Sequence, residues 1–124
     1  MTLEYQLNSI MQYSLDHSDQ YSVLRLKEDN LNSLIAPHLK AQLILLHTEG
    51  APALVLDLSD VSFVDSSGLS AILTGNRLWK DDITDKFILI GVKSPNIQRL
   101  IEISQLQAIL AIENNLEDAL KHLV

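Results

Sequence analysis

The densest run of reactive side chains lies in Asp57-Leu58-Ser59-Asp60-Val61-Ser62-Phe63-Val64-Asp65-Ser66-Ser67-Gly68. Asp57, Asp60 and Asp65 are hard oxygen donors of the kind a magnesium ion takes. We read Asp57 and Asp60 instead as caps for backbone N–H groups in a polar loop, a habit of short acidic side chains. Ser66 and Ser67 stand just before an apolar stripe that begins at Leu69. A helix starting there leaves its first N–H groups free and presents the positive end of its dipole, so a phosphate on either hydroxyl would be locally stabilised. Gly68 would leave the approach to that terminus uncrowded. The plainer alternative is that one of the serines is only an N-cap and that Gly68 only relieves packing. On residue type alone both readings stand.

Other chemistries lack their residues. The chain has no cysteine, which removes disulfides, thiolate catalysis and Cys-ligated metals and fits a reducing cytoplasm. His17, His38, His47 and His122 show no metal-ligand spacing and are read as solvated or helix-terminal groups. A serine hydrolase needs a Gly-x-Ser-x-Gly elbow, and Asp65-Ser66-Ser67-Gly68 is not one. No glycine motif for a nucleotide or dinucleotide occurs. A receiver domain would place its phospho-acceptor at a strand end, as Asp57 is placed. It would also need an acidic pair after the first strand and a lysine at the last, where Glu113 follows instead. No catalytic residue, metal or cofactor is therefore assigned, and no enzymatic activity is expected.

The elements that must hold these serines follow from the apolar pattern. At 124 residues, 47% apolar and 20% charged, the chain reads as one globular domain over 1–124, because two domains would each be too short to bury a good core. A net charge of −7 with nine scattered basic residues argues against nucleic acid as partner. No apolar stretch approaches the ~20 residues of a membrane helix, and positions 1–15 lack the pattern of a signal peptide, so a cytoplasmic location is expected.

Short apolar runs alternate with segments of helical period, the mark of an α/β fold. Strands are predicted at 21–26, 53–56, 87–90 and 109–112. The turn Asp16-His17-Ser18-Asp19 could join the first of these to a further strand near 11–15 as a hairpin. A helix is predicted over 32–48, with Leu34, Ile35, Leu39, Leu45 and Leu46 on one face and Pro37 early in it. The next should run from Ser66 or Ser67 towards Lys80, with Leu69, Ile72, Leu73 and Trp79 as its stripe and Trp79 in the core. Ser94-Pro95 supplies an N-cap and a first-turn proline for a third, striped by Ile97, Leu100 and Ile101. Asn115 and Asp118 resemble a capping box before a C-terminal helix that ends near His122.

With its context, Val55-Leu56-Asp57-Leu58-Ser59, Val61-Ser62-Phe63-Val64 and then Asp65-Ser66-Ser67-Gly68-Leu69, the serine pair resembles the signature of STAS domains, and in particular of bacterial anti-sigma factor antagonists. Ile88-Leu89-Ile90-Gly91-Val92 and Asn115-Leu116-Glu117-Asp118-Ala119-Leu120 keep the same rhythm, so the resemblance spans 21–124 and leaves 1–20 weakly matched. It implies a small mixed β-sheet with helices packed against it. It implies a binding protein that sequesters a serine-kinase anti-sigma factor while unmodified and thereby frees a sigma factor. Ser66 would be the residue the kinase phosphorylates and a serine phosphatase restores. Asp57, Asp65, Ser67, Gly68 and Leu69 would form the surroundings and the partner-binding surface. The family also contains subunits of other assemblies, such as lipid-transport complexes or stressosome-like particles, where the serine need not be modified. Three departures bear on partner choice: Lys27-Glu28-Asp29-Asn30, Asp81-Asp82-Ile83-Thr84-Asp85 and Ser104-Gln105-Leu106 stand where the family often has glycine.

Overall fold

The computed structural model describes residues 2–7, 11–80 and 83–123. In chain order the elements are β1 (Thr2–Leu7), β2 (Gln12–His17), β3 (Ser22–Leu26), β4 (Asn30–Leu31), α1 (Ala36–Thr48), β5 (Leu54–Asp57) and β6 (Phe63–Val64). They continue with α2 (Ser66–Leu78), β7 (Phe87–Ile90), α3 (Pro95–Ile103), β8 (Ala111–Glu113) and α4 (Leu116–Leu120). The main sheet runs β1-β2-β3-β5-β7-β8; β1 to β3 pair antiparallel, and β3, β5, β7 and β8 pair parallel. The hairpin near 11–15 is thus present, its strand reaching His17, and Ser18 N–H closes the turn on Tyr21 O at 2.9 Å.

Unbroken apolar strands are what a sheet covered on both faces requires. Leu24, Leu26, Leu54, Leu56 and Leu89 pack with Leu39, Leu43, Leu46 and Ile72 of α1 and α2 in the main core. On the opposite face Val55, Ile88 and Ile90 meet Ala119, with Leu116 and Leu123 alongside. Each fully buried leucine contributes ~2 kcal/mol by its transfer from water. Trp79 lies in the main core, its indole Nε1 donating to Ala51 O at 2.8 Å and its ring stacked on Phe87.

Two boundaries and one cap differ from the sequence expectation. Helix α1 starts at Ala36 rather than near 32, because Asn32 Oδ1 accepts from the amides of Leu34 and Ile35 and turns the chain before Pro37 opens the helix. Leu34, before the helix, and Leu45, on it, are exposed, and Leu43 is buried instead. Strand β8 comprises Ala111–Glu113, not 109–112. A 3₁₀ turn at Leu106–Ala108, entered by Gln105 with φ of 57°, uses the preceding residues, so Ile109 faces solvent and Leu110 the core. Gln105 thus adopts the left-handed backbone that favours glycine. Ser94 occupies the N-cap position of α3 but makes no side-chain cap bond. Asn115 does cap α4, accepting from Asp118 N at 2.8 Å. Asp81 and Asp82 lie outside the described residues.

Candidate functional site

Asp57 ends β5, and its Oδ1 accepts from both the backbone N–H and the hydroxyl of Ser59, closing a tight turn. Gly91 after β7 has φ of 71°, and a Cβ there would strike the Ser59 hydroxyl and lie 2.7 Å from Asp57 Oδ1. A glycine at the end of the neighbouring strand β7 therefore makes room for this loop. Asp60 is not a backbone cap. It takes a bidentate bond from Arg25, with Nε at 3.1 Å and an Nη at 2.9 Å. That bond holds the Asp60 carboxyl below the usual carboxylate range and the guanidinium above its own, although both side chains are too exposed for the pair to matter much to stability. Asp57, Asp60 and Asp65 are each engaged with a different partner. Among the described residues no three acidic or histidine side chains come together as a metal site.

The chain is next held in place by a second, two-stranded parallel sheet of β4 and β6, in which Leu31 pairs with Val64. Ser62 N–H donates to Asp29 O at 2.8 Å and its hydroxyl to Asp29 Oδ1 at 2.6 Å. On the other edge of β6, the hydroxyl of Ser94 donates to Ser62 O at 2.5 Å, and Asn96 Oδ1 accepts from Val64 N at 3.2 Å. Lys27-Glu28-Asp29-Asn30 thus supplies Asp29 as an anchor for the approach to the serines.

Asp65 is the N-cap of α2: its backbone is extended and its Oδ1 accepts from Gly68 N at 2.9 Å. Neither serine is the cap, and that corrects the plainer sequence reading. Ser66 is the first helical residue and exposed, and Ser67 and Leu69 are half-buried. No hydrogen bond holds the Ser66 hydroxyl among the described residues. Gly68 is buried, and its role is close packing rather than an open approach. A Cβ there would strike Leu31 O and lie 2.8 Å from Leu31 Cγ and 2.9 Å from Val64 Cγ1. The Asp57 carboxylate makes no hydrogen bond to either serine of the pair.

In front of the serines runs a shallow groove of about 470 Å³, walled by Ser33, Pro37 and Lys40 on one side and by Ser66, Ser67 and Ser70 on the other. Sequence reasoning passed over Lys40, Asp29, Arg25 and Asn96. Only chain crossings bring these residues to the loop, and no local pattern marks them. His122 lies at a helix terminus, as expected, and also has two acidic partners. It bridges Asp85 at 3.1 Å and Glu113 at 2.5 Å, and the bond to Glu113 foremost raises its pKa above the ordinary histidine value.

The model of the STAS domain family matches residues 12–119. The chain belongs to that family. The matched region reaches back through β2, further than the signature suggested. Among solved structures, an anti-sigma factor antagonist from Mycobacterium paratuberculosis superposes with a TM-score of 0.79 at 24% identity, covering 91% of this chain and 93% of its own. An anti-sigma factor antagonist (STAS) domain protein from Planctomyces limnophilus gives 0.77 at 18% identity, with 90% and 97% covered. The Bacillus cell fate determinant SpoIIAA in its phosphorylated form gives 0.64 at 22% identity, with 88% and 96% covered. These likenesses establish the STAS fold. No helix among the described residues is long and apolar enough to cross a membrane.

Proposed function

We propose that this protein is an anti-sigma factor antagonist whose binding is switched by phosphorylation of Ser66, and that it has no catalytic activity of its own. One observation carries the reading: the exposed Ser66 hydroxyl is free because Asp65 has taken over the capping of α2. A capping serine has its hydroxyl oxygen committed to a backbone N–H of its own helix. Here the hydroxyl can be esterified and restored while the helix start stays intact. The description of SpoIIAA in a phosphorylated form lends support by family kinship.

The partner is a serine-kinase anti-sigma factor, which binds the unmodified surface around Asp65, Ser66, Ser67 and Leu69; a serine phosphatase reverses the switch. Phosphorylation adds about −1.5 to −2 charges. The helix terminus offsets roughly 0.3–1 kcal/mol of that at an exposed site. The interface pays more, because a dianion must be desolvated against a surface fitted to a hydroxyl. A loss of about 3 kcal/mol lowers affinity roughly a hundredfold, enough for a switch.

The test is to incubate wild type, Ser66→Ala and Ser67→Ala with ATP and extract of the source cells, then map phosphate by mass spectrometry. Label should appear on Ser66 in wild type and in Ser67→Ala, and vanish in Ser66→Ala. Phosphate on Ser67 instead, or a partner that binds Ser66→Asp as tightly as wild type, would sink the mechanism. Recovery of a transporter ATPase as the partner would favour a subunit role in another assembly. ATP or ester hydrolysis by the purified protein that vanished in Ser66→Ala would overturn the absence of catalysis.

A further inference from the structure

The groove in front of Ser66 has one charged wall residue, Lys40. On one wall Pro37 and Lys40 stand three apart on α1 with Ser33 in the turn before it; on the other Ser66 and Ser67 precede Ser70 on α2 by four and three residues. Lys40 is half-buried. Among the described residues it makes no ion pair and its ammonium donates no hydrogen bond. No carboxylate lines the groove, and the nearby Asp65 is turned to the Gly68 amide. An unpaired cation therefore faces three hydroxyls, on a protein whose net charge is −7.

We infer that Lys40 receives the phosphoryl group of modified Ser66, drawing it into the groove so that the phosphate ties α2 to α1. The inference rests on the reading of Ser66 as the acceptor. A phosphate dianion forms its strongest bonds with cationic donors, and the hydroxyls of Ser67 and Ser70 add neutral ones. The consequence for the switch is geometric as well as electrostatic. In the unmodified protein a partner meets an open groove lined by hydroxyls. Once modified, the groove is filled and its lysine neutralised, so a partner that read either feature loses it.

The test needs no kinase. Phosphoserine is placed at position 66 of the full chain by codon suppression, and its second ionisation is followed by ³¹P NMR, with circular dichroism confirming that each variant is folded. A free phosphoserine titrates near pH 6, roughly. A neighbouring ammonium favours the dianion, so Lys40→Gln should raise the titration midpoint by roughly 0.5–1 pH unit relative to the parent. Lys40→Arg should keep the low midpoint, and Lys121→Gln, remote from the groove, should leave it where it was. Coincident titrations of the parent and Lys40→Gln would overturn the inference while leaving Ser66 as acceptor untouched. The mapping of phosphate in extract tests the acceptor separately, so the two ideas fail by different measurements.

Discussion

Helices α2 and α3 begin with sequences that line up position for position, Asp65-Ser66-Ser67-Gly68 against Ser94-Pro95-Asn96-Ile97. Both N-cap residues are extended, yet the side chains do opposite things. Asp65 bonds its own helix and leaves the next serine free. Ser94 ignores its own helix and reaches sideways to Ser62, and Pro95 stands where Ser66 stands in the other helix. At the fourth position Gly68 lets Leu31 and Val64 approach, whereas Ile97 fills the core. The difference teaches that the serine following a capping aspartate keeps its hydroxyl free, whereas the serine at the cap position of α3 is committed to a bond elsewhere. The α3 start acts as a brace for the strand that delivers Ser66; it is not a second site.

The comparison can be broken most forcefully at Gly68. Gly68→Ala should cost about 3 kcal/mol in urea unfolding, because the new methyl meets the buried Leu31 carbonyl rather than a flexible side chain. A loss below about 0.5 kcal/mol would mean that the close approach is not what keeps glycine there. Asp65→Ala should cost about 1 kcal/mol and Asp65→Asn should recover most of it, since the amide oxygen can still accept from Gly68. If the alanine variant is as stable as wild type, the cap has passed to Ser66, and the contrast between the two starts collapses.

Ser94→Ala should also cost about 1 kcal/mol, by leaving Ser62 O without its donor, and should speed hydrogen exchange at Val64. Ser66→Ala sharpens the contrast in the other direction, since no bond is lost and its stability should lie within about 0.5 kcal/mol of wild type. The Ser66 to Ser94 difference should hold across pH, and His122 provides the check. Its folded pKa is raised above the ordinary 6.5, so its contribution is fully present below that unfolded value and is lost as pH rises through the folded one. Chemical unfolding should show wild type losing this small increment, well under the Gly68 effect, while His122→Gln does not. The two serine variants should keep their spacing throughout.

Much of the architecture was legible from apolar runs and turn residues. Ala53 to Leu56 and Phe87 to Ile90 carry continuous burial, and Leu69, Ile72 and Trp79 carry helical period, so β5, β7 and α2 were placed to within two residues. The signature around Asp65 and Ser66 was equally local: a strand end, a polar loop and a helix start are specified by neighbours in sequence. The face of α1 was less legible, because its leucines and isoleucines are too many to mark one side. Only packing against the sheet chose Leu43 over Leu45.

By itself, then, the sequence determined the strand-loop-helix, the serine pair at its turn and the family to which these belong, since each depends on residues close along the chain. The tertiary structure decided which of three adjacent cap-competent residues caps α2: Asp65 leaves β6, held between Leu31 and Asn96, with the extended backbone of a cap and its side chain on Gly68 N. It alone placed Gly91 beside Asp57, Arg25 on Asp60 and Lys40 across from Ser66, pairs set by strand order and helix packing that no spacing in the chain encodes.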